Sequence, residues 1–203
     1  MVKSSDVFIS LDYVTYMKGK FINRNSITDN RDRTIKFVLK LNNCSSFKKI
    51  NEVEIKDLSF EKDNFLKKLR IVYGTKKVNS EVYDLVDSCF TSNLISEISH
   101  NSIKNVFSFL GINKTILLCS ESFPNYVEHK KENRIYGICE ELNCHKYVNL
   151  PNGSSIYNKE DFTKKNIELS FILNEFNYNT SILDFLFREN KEQLINRLNN
   201  YHL

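Results

Sequence analysis

The apolar residues of this chain follow two rhythms in alternation, and that alternation limits the folds open to it. Val7-Phe8-Ile9 with Leu11 is a short apolar run closing on Asp12, the pattern of a buried strand that opens into a polar turn. Ile35, Phe37, Leu39 and Leu41 alternate with Lys36, Val38 and Lys40, the period-two pattern of a strand with one wet face. Ile50, Val53 and Ile55 suggest a shorter strand. The rhythm then changes to that of a helix. Phe65, Leu66 and Leu69 form one stripe, Val82, Leu85, Val86 and Cys89 a second, and Leu94, Ile95, Ile98, Ile103, Val106, Phe107 and Leu110 a third, with Gly111 placed to cap it. Residues 115–119 read as the next buried strand, leading to the polar turn Ser120-Glu121-Ser122. Ile135, Ile138, Cys139 and Leu142 stand at i, i+3, i+4 and i+7, which predicts a helix over 132–142 with Asn143 as a left-handed cap. A strand at Tyr147–Leu150 then meets Pro151-Asn152-Gly153-Ser154-Ser155, the densest turn signal in a sequence with only 5 Gly and 2 Pro. A short helix over 159–165 and an apolar run over 167–173 follow. Ser181-Ile182-Leu183-Asp184 has the capping-box form that opens a helix, and Leu194, Ile195 and Leu198 line a last one. The sum is an α/β fold: a mostly parallel sheet with flanking helices and a helical middle region. A single domain over residues 1–203 is expected, with 56–62 as the best place for any break.

Composition removes several classes. Hydrophobic residues at 41% and charged residues at 27% are ordinary globular values. No apolar run approaches the ~20 residues of a membrane helix, and the start Met1-Val2-Lys3-Ser4-Ser5-Asp6 lacks the apolar stretch of a signal peptide, so a cytoplasmic protein is expected. The net charge of +4 comes from 29 basic and 25 acidic side chains spread along the chain, too mild for a nucleic-acid partner. Five scattered cysteines without a Cys-x-x-Cys read as reduced thiols. Cys139, Cys144 and His145 are close in sequence, but their spacing matches no zinc pattern, and the helical stripe accounts for Cys139. No metal and no cofactor are expected.

The chain carries no phosphate loop, nucleophile elbow, dinucleotide fingerprint or zinc motif, and His100, His129, His145 and His202 share no local spacing with a nucleophile. What remains are the polar turns after strands: Asp12 to Asn25, Ser120 to Ser122, and Asn149 to Tyr157. In a parallel sheet they would fall on one edge and form one crevice. Tyr16, Lys18, Lys20, Asn23, Arg24 and Asn25 crowd the first turn, and the Arg24 guanidinium is suited to a carboxylate or phosphate. Ser154, Ser155 and the loop amides would add donors. A sugar nucleotide or an acyl-carrier phosphate fits that inventory, as do other small anions. Plainer roles also exist: an exposed loop for Arg24, a turn for Asp12 and a helix cap for Asp184.

Ser5-Asp6-Val7-Phe8-Ile9, Leu11-Asp12-Tyr13-Val14-Thr15-Tyr16-Met17-Lys18 and Asn23-Arg24-Asn25 resemble the opening of the WbqC-like proteins, found among genes for O-antigen and other surface polysaccharides. Ile50 to Ile55, Arg134-Ile135 with Ile138-Cys139, Tyr147 through Asn149 to Gly153 and Tyr157, and Ser181 to Phe187 resemble further blocks of that family in the same order. The resemblance covers nearly the whole chain. It implies a substrate-binding set of Tyr16, Lys18, Asn23, Arg24, Asn25, Ser120, Arg134, Asn149, Asn152, Gly153, Ser154 and Tyr157, with Asp12 and Asp184 as catalytic candidates. Relatives usually begin with a further strand bearing His-Gln-Pro and an aromatic-rich segment; this sequence starts after that point and contains no Trp. Cys119-Ser120-Glu121 also lacks a basic residue that relatives often carry before the serine. The implied partners are a sugar nucleotide and an acyl donor, and the implied reaction is acyl or aminoacyl (glycyl-type) transfer to an amino sugar. The alternative is a catalytically inactive sugar- or nucleotide-binding or interaction protein of the same pathway.

Overall fold

Two short parallel strand pairs and the helix between them organise the carboxyl-terminal half of the fold. In a computed structural model that describes residues 1–45, 47–76, 79–129, 131–174 and 180–202, β1 (Val7–Ser10) pairs in parallel with β4 (Thr115–Leu118), Val7 opposite Thr115 and Ser10 opposite Leu118. β5 (Lys146–Asn149) pairs in parallel with β6 (Glu168–Phe171), Lys146 opposite Glu168. An isolated two-stranded pair is marginal in water, so each needs cover. Helix α5 (Glu132–Glu141) covers both. Ile135 and Cys139 pack with Phe162, Ile167 and Leu169 beside β5 and β6, while Ile138 packs with Cys119 and Phe123 beside Ile9 and Leu117 of β1 and β4.

The end of α5 follows the cap expected from Asn143. Its φ is 49°, its N–H donates to Glu140 O at 3.0 Å, and the Cys144 N–H donates back to Cys139 O at 2.8 Å. This paired arrangement is the Schellman motif, which satisfies the last carbonyls and turns the chain into β5. Gly111, with φ 69°, likewise follows α3 (Ile95–Phe109) as the apolar stripe implied.

The helical middle region is present as α1 (Leu58–Tyr73), α2 (Ser80–Asp87) and α3. Leu66, Leu69, Val82, Val86, Ile95, Ile98 and Val106 bury their stripes in one core. β2 (Arg24–Thr28) and β3 (Thr34–Val38) form an antiparallel hairpin on that core. Ile27, 0% exposed, carries β2 into the core although the strand begins with Arg24-Asn25-Ser26. At the hairpin turn Asp29 Oδ1 accepts from the N–H groups of Arg31 (2.8 Å) and Arg33 (3.0 Å), and the Arg33 guanidinium holds the carboxyl down at about 2. The short helices α4 (Cys119–Ser122) and α6 (Lys159–Thr163) flank the parallel pairs. Helices α7 (Leu183–Arg188) and α8 (Lys191–Asn199) complete the main core, and β7 (Leu173–Asn174) pairs antiparallel with β8 (Tyr201–His202). Among the described residues no helix is long and apolar enough to cross a membrane.

The α/β class and the parallel pairing agree with the sequence reading, and four local details differ. The parallel strands form two separate pairs rather than one continuous sheet. Ile50–Glu52 is a 3-10 turn rather than a strand, and isolated bridges flank it, Thr15 to Lys49 before and Leu41 to Ile55 after. Ser120 to Ser122 belongs to the single turn α4. The Ser181-to-Asp184 capping box does not form: the N-cap is Ile182, whose side chain has no acceptor, and the Asp184 carboxylate binds Thr28 and Tyr73.

Gly137 shows how closely α5 is seated. A Cβ there would lie 2.2 Å from Tyr126 Cε1 and 2.3 Å from Cδ1, a clash with the ring. Gly137→Ala is expected to cost about 1–3 kcal/mol, since overpacking forces the ring or the helix to shift. In chemical denaturation, the Gly137→Ala/Tyr126→Ala double variant should lose less than the sum of the two single losses; additivity would show that the ring is not what resists the methyl group.

Candidate functional site

The ends of β1 and β4 meet in a polar cluster. Asp12 is 3% exposed; its Oδ1 accepts from the Ser120 N–H at 2.9 Å and its Oδ2 from the Ser120 hydroxyl at 2.5 Å. The parallel register brings these residues together: Ser10 and Leu118 end the ladder side by side, and each chain then runs on two residues. Segment 12–16 is also laid against 48–51, with Asn51 N donating to Asp12 O at 3.1 Å and Ile50 N to Val14 O at 3.0 Å. Tyr13 donates to Glu128 Oε1 at 2.5 Å, which raises its pKa, and Lys49 Nζ stands 5.2 Å from its ring centre.

His100 of α3 joins this cluster, with Nδ1 3.3 Å from Ser10 Oγ. Burial lowers its pKa, the Lys104 charge adds to this, and Glu121 and Asp12 oppose it. The imidazole is therefore mainly neutral at pH 7 and able to accept a proton. Local spacing could not reveal it, because Ser10 and His100 are 90 positions apart. Arg134, 8% exposed, closes another side: its Nε donates to Tyr126 O at 3.2 Å and an Nη to Val127 O at 2.6 Å. Its charge is felt at the enclosed Cys119 thiol, which burial pushes up.

A second cluster lies where the chain enters β2. The buried Tyr16 hydroxyl donates to Asn23 Oδ1 at 3.1 Å, and Asn23 Nδ2 donates to Leu39 O at 2.7 Å. Burial raises the Tyr16 pKa, Cys44 adds to it, and the positive charge of Arg24 opposes it. Arg24 is half-buried, and its enclosed Nε has no hydrogen-bond partner among the described residues. An enclosed charged donor left unpaired is costly, which suits it to an anion. Asn25 Oδ1 accepts from the Ser26 N–H at 2.8 Å, and Lys18 is exposed.

The third group is the loop after β5. Asn149 Oδ1 accepts from the Leu150 N–H at 2.7 Å, and the 3-10 turn Pro151–Ser155 lays Gly153 against the same side chain. A Cβ on Gly153 would lie 2.8 Å from Asn149 Nδ2 and 3.2 Å from Phe171 Cε1, so a glycine permits the approach. Asn152 and Ser154 are exposed, whereas Tyr157 packs edge-on against Tyr147 and Phe162. A cavity of about 580 Å³ separates β1 from β5, with Val7, Ile9 and Leu11 on one wall, Tyr147 and Asn149 on the other, and Ile135 and Ile138 of α5 beneath. Of the twelve expected binding residues, Asn149 alone lines it; Asp12 and Ser120 do not.

Asp184 is placed apart from Asp12. It is 5% exposed and accepts from Thr28 N at 2.9 and 3.1 Å, from Thr28 Oγ1 at 3.2 Å and from the Tyr73 hydroxyl, with Arg188 at 4.0 Å. Burial, and then this carboxylate, push the Tyr73 pKa up. Among the described residues no hydrogen bond or ion pair joins Asp184 to Asp12 or Ser120, and no group of three or more His, Cys, Asp or Glu is placed to hold a metal ion.

So many donors on one buried carboxylate make a clamp that ties α7 to β2 and α1. Asp184→Ala should lower stability by about 3 kcal/mol, because several buried donors lose their acceptor. Tyr73→Phe should cost about 1 kcal/mol. Urea denaturation checks both, and an Asp184→Ala variant as stable as the parent would remove the clamp.

No curated protein and no solved structure matches the chain. The profile described as the WbqC-like protein family matches residues 1–195 of the 203, and the chain belongs to that family.

Proposed function

We propose that the chain is a surface-polysaccharide enzyme that modifies an activated, nucleotide-linked sugar, by acyl or aminoacyl transfer, such as glycyl transfer, to an amino sugar. The observation that carries this reading is the buried Asp12 carboxylate hydrogen-bonded to Ser120 where two parallel strands end. Open α/β folds place ligands at the carboxyl ends of their strands. Amide formation needs a base: the acceptor amine attacks the acyl carbonyl, loses a proton, and the bond from the acyl carbon to the donor's leaving group breaks. Asp12 takes that proton through the Ser120 hydroxyl in this mechanism, which is general base catalysis. Arg24, with its enclosed and unpaired Nε, binds the phosphate or carboxylate of a substrate, and Tyr16 and Asn23 hold the hairpin entry in place beside it. Asn149 and the turn at Asn152, Gly153 and Ser154 recognise sugar hydroxyls. Nucleotide-linked sugars as substrates would place the protein in the cytoplasm.

Incubating the protein with amino-sugar nucleotides and acyl or aminoacyl donors should yield a product heavier by the acyl group. Asp12→Asn should lower kcat by about 10²–10³-fold while the fold survives, and Arg24→Ala should raise KM with less effect on kcat. No mass change with any pairing overturns the transfer reading. Tight binding by calorimetry without turnover assigns the chain instead to sugar-nucleotide binding, a reading in which the Ser120 hydrogen bonds to both Asp12 oxygens serve only to hold the strand ends together.

A further inference from the structure

The five free cysteines have different surroundings. Cys89 is buried, its Sγ donates to Leu85 O at 3.2 Å, and burial pushes its thiol up to about 11. Cys119 is 0% exposed, and Cys44 sits beside Tyr16. Cys139 and Cys144 are different because they sit together: Cys144 packs against the apolar cluster that holds Cys139, and its Sγ donates to Lys146 O at 3.4 Å. The backbone imposes this. In the Schellman end of α5 these residues are the two joined by the 2.8 Å bond from Cys144 N to Cys139 O, positions whose side chains commonly meet in this motif. The bond keeps the two backbones adjacent, as a disulfide requires, since its Cα atoms stand about 4.4–6.8 Å apart.

The pair is also reachable. Both cysteines line the cavity between β1 and β5, and both line a second cavity bounded by Lys164 and Asn166, so small solutes can approach from two sides. The two thiols are unequal. The neighbouring Cys139 thiol pulls the Cys144 pKa down, burial opposes it, and the Lys146 backbone and His145 add to the lowering, whereas Cys144 and then burial raise that of Cys139. Cys144 is half-buried and Cys139 buried. One thiol is thus the better thiolate and the other is poised to follow it.

The geometry points to Cys139 and Cys144 as a dithiol modification site that a peroxide converts into an intramolecular disulfide. The Cys144 thiolate attacks one peroxide oxygen; the O–O bond breaks, giving a Cys144 sulfenic acid and hydroxide. The Cys139 sulfur then attacks the Cys144 sulfur, forming the S–S bond and expelling the sulfenic oxygen, which leaves as water with the Cys139 proton. Two thiols are oxidised by two electrons and one peroxide is reduced to water and hydroxide. The bond fastens the entry to β5 onto the end of α5. None of this depends on the proposed transfer reaction.

Hydrogen peroxide at low molar excess, followed by alkylation and intact-protein mass analysis, tests the site. The parent should become lighter by two hydrogens, lose the two alkylatable thiols mapped by digestion to Cys139 and Cys144, and recover both with dithiothreitol. That loss should run about tenfold faster than oxidation of Cys44. Cys139→Ser should stop at a sulfenic acid, trapped by dimedone at Cys144. Cys144→Ser should leave its remaining thiols alkylatable over the same interval. Peroxide-treated parent that keeps both thiols, a disulfide mapped to another pair, or dimedone capture at Cys139 in Cys144→Ser at the rate seen for Cys144 would each overturn the proposal.

Discussion

Two parallel strand pairs that cannot stand alone must share one helix, and much of the carboxyl-terminal half follows from that constraint. Helix α5 needs one apolar flank for β5 and β6 and another for β1 and β4, which it supplies with Ile135 and Cys139 on one side and Ile138 on the other. The same demand explains Gly137, over which the Tyr126 ring lies, and Arg134, whose guanidinium holds the carbonyls of Tyr126 and Val127. Because α5 spans the two pairs and no strand among the described residues joins them, a cavity runs above it between β1 and β5. The polar cluster around Asp12 therefore inherits its position from apolar packing on α5.

Elements built on a clear apolar period could be read from the sequence. The runs at Val7 and Thr115, the stripe from Ile95 to Leu110 and the spacing of Ile135, Ile138, Cys139 and Leu142 each became the element they predicted. Elements whose stability is tertiary could not. β2 opens on Arg24-Asn25-Ser26, a polar string, and is a strand because Ile27 is buried and β3 supplies the ladder. Ser181 to Asp184 matched a local helix-start pattern, but Thr28 and Tyr73, far away in the chain, claimed the carboxylate first. Asp12 and Ser120 could be proposed as site residues from their place after strands, whereas His100 could not, since its relation to Ser10 exists only after α3 packs beside β1.

Two buried carboxylates show why composition and motif do not assign roles. Asp12 and Asp184 have nearly the same exposure, 3% and 5%. Asp184 is bound by backbone, hydroxyl, phenol and guanidinium groups from three elements, so any change in its charge or geometry is resisted by the core itself. A group held that way serves stability, and moving a proton to it would cost the contacts it makes. Among the described residues the Asp12 side chain is hydrogen-bonded by Ser120, through one amide and one rotatable hydroxyl, at a junction that also holds His100. The hydroxyl can turn to another acceptor without unfolding anything, which is what the proposed proton transfer at Asp12 requires. That difference in the number and stiffness of partners, rather than depth of burial, is the physical reason to look for chemistry at the end of β1 and for rigidity at the start of α7.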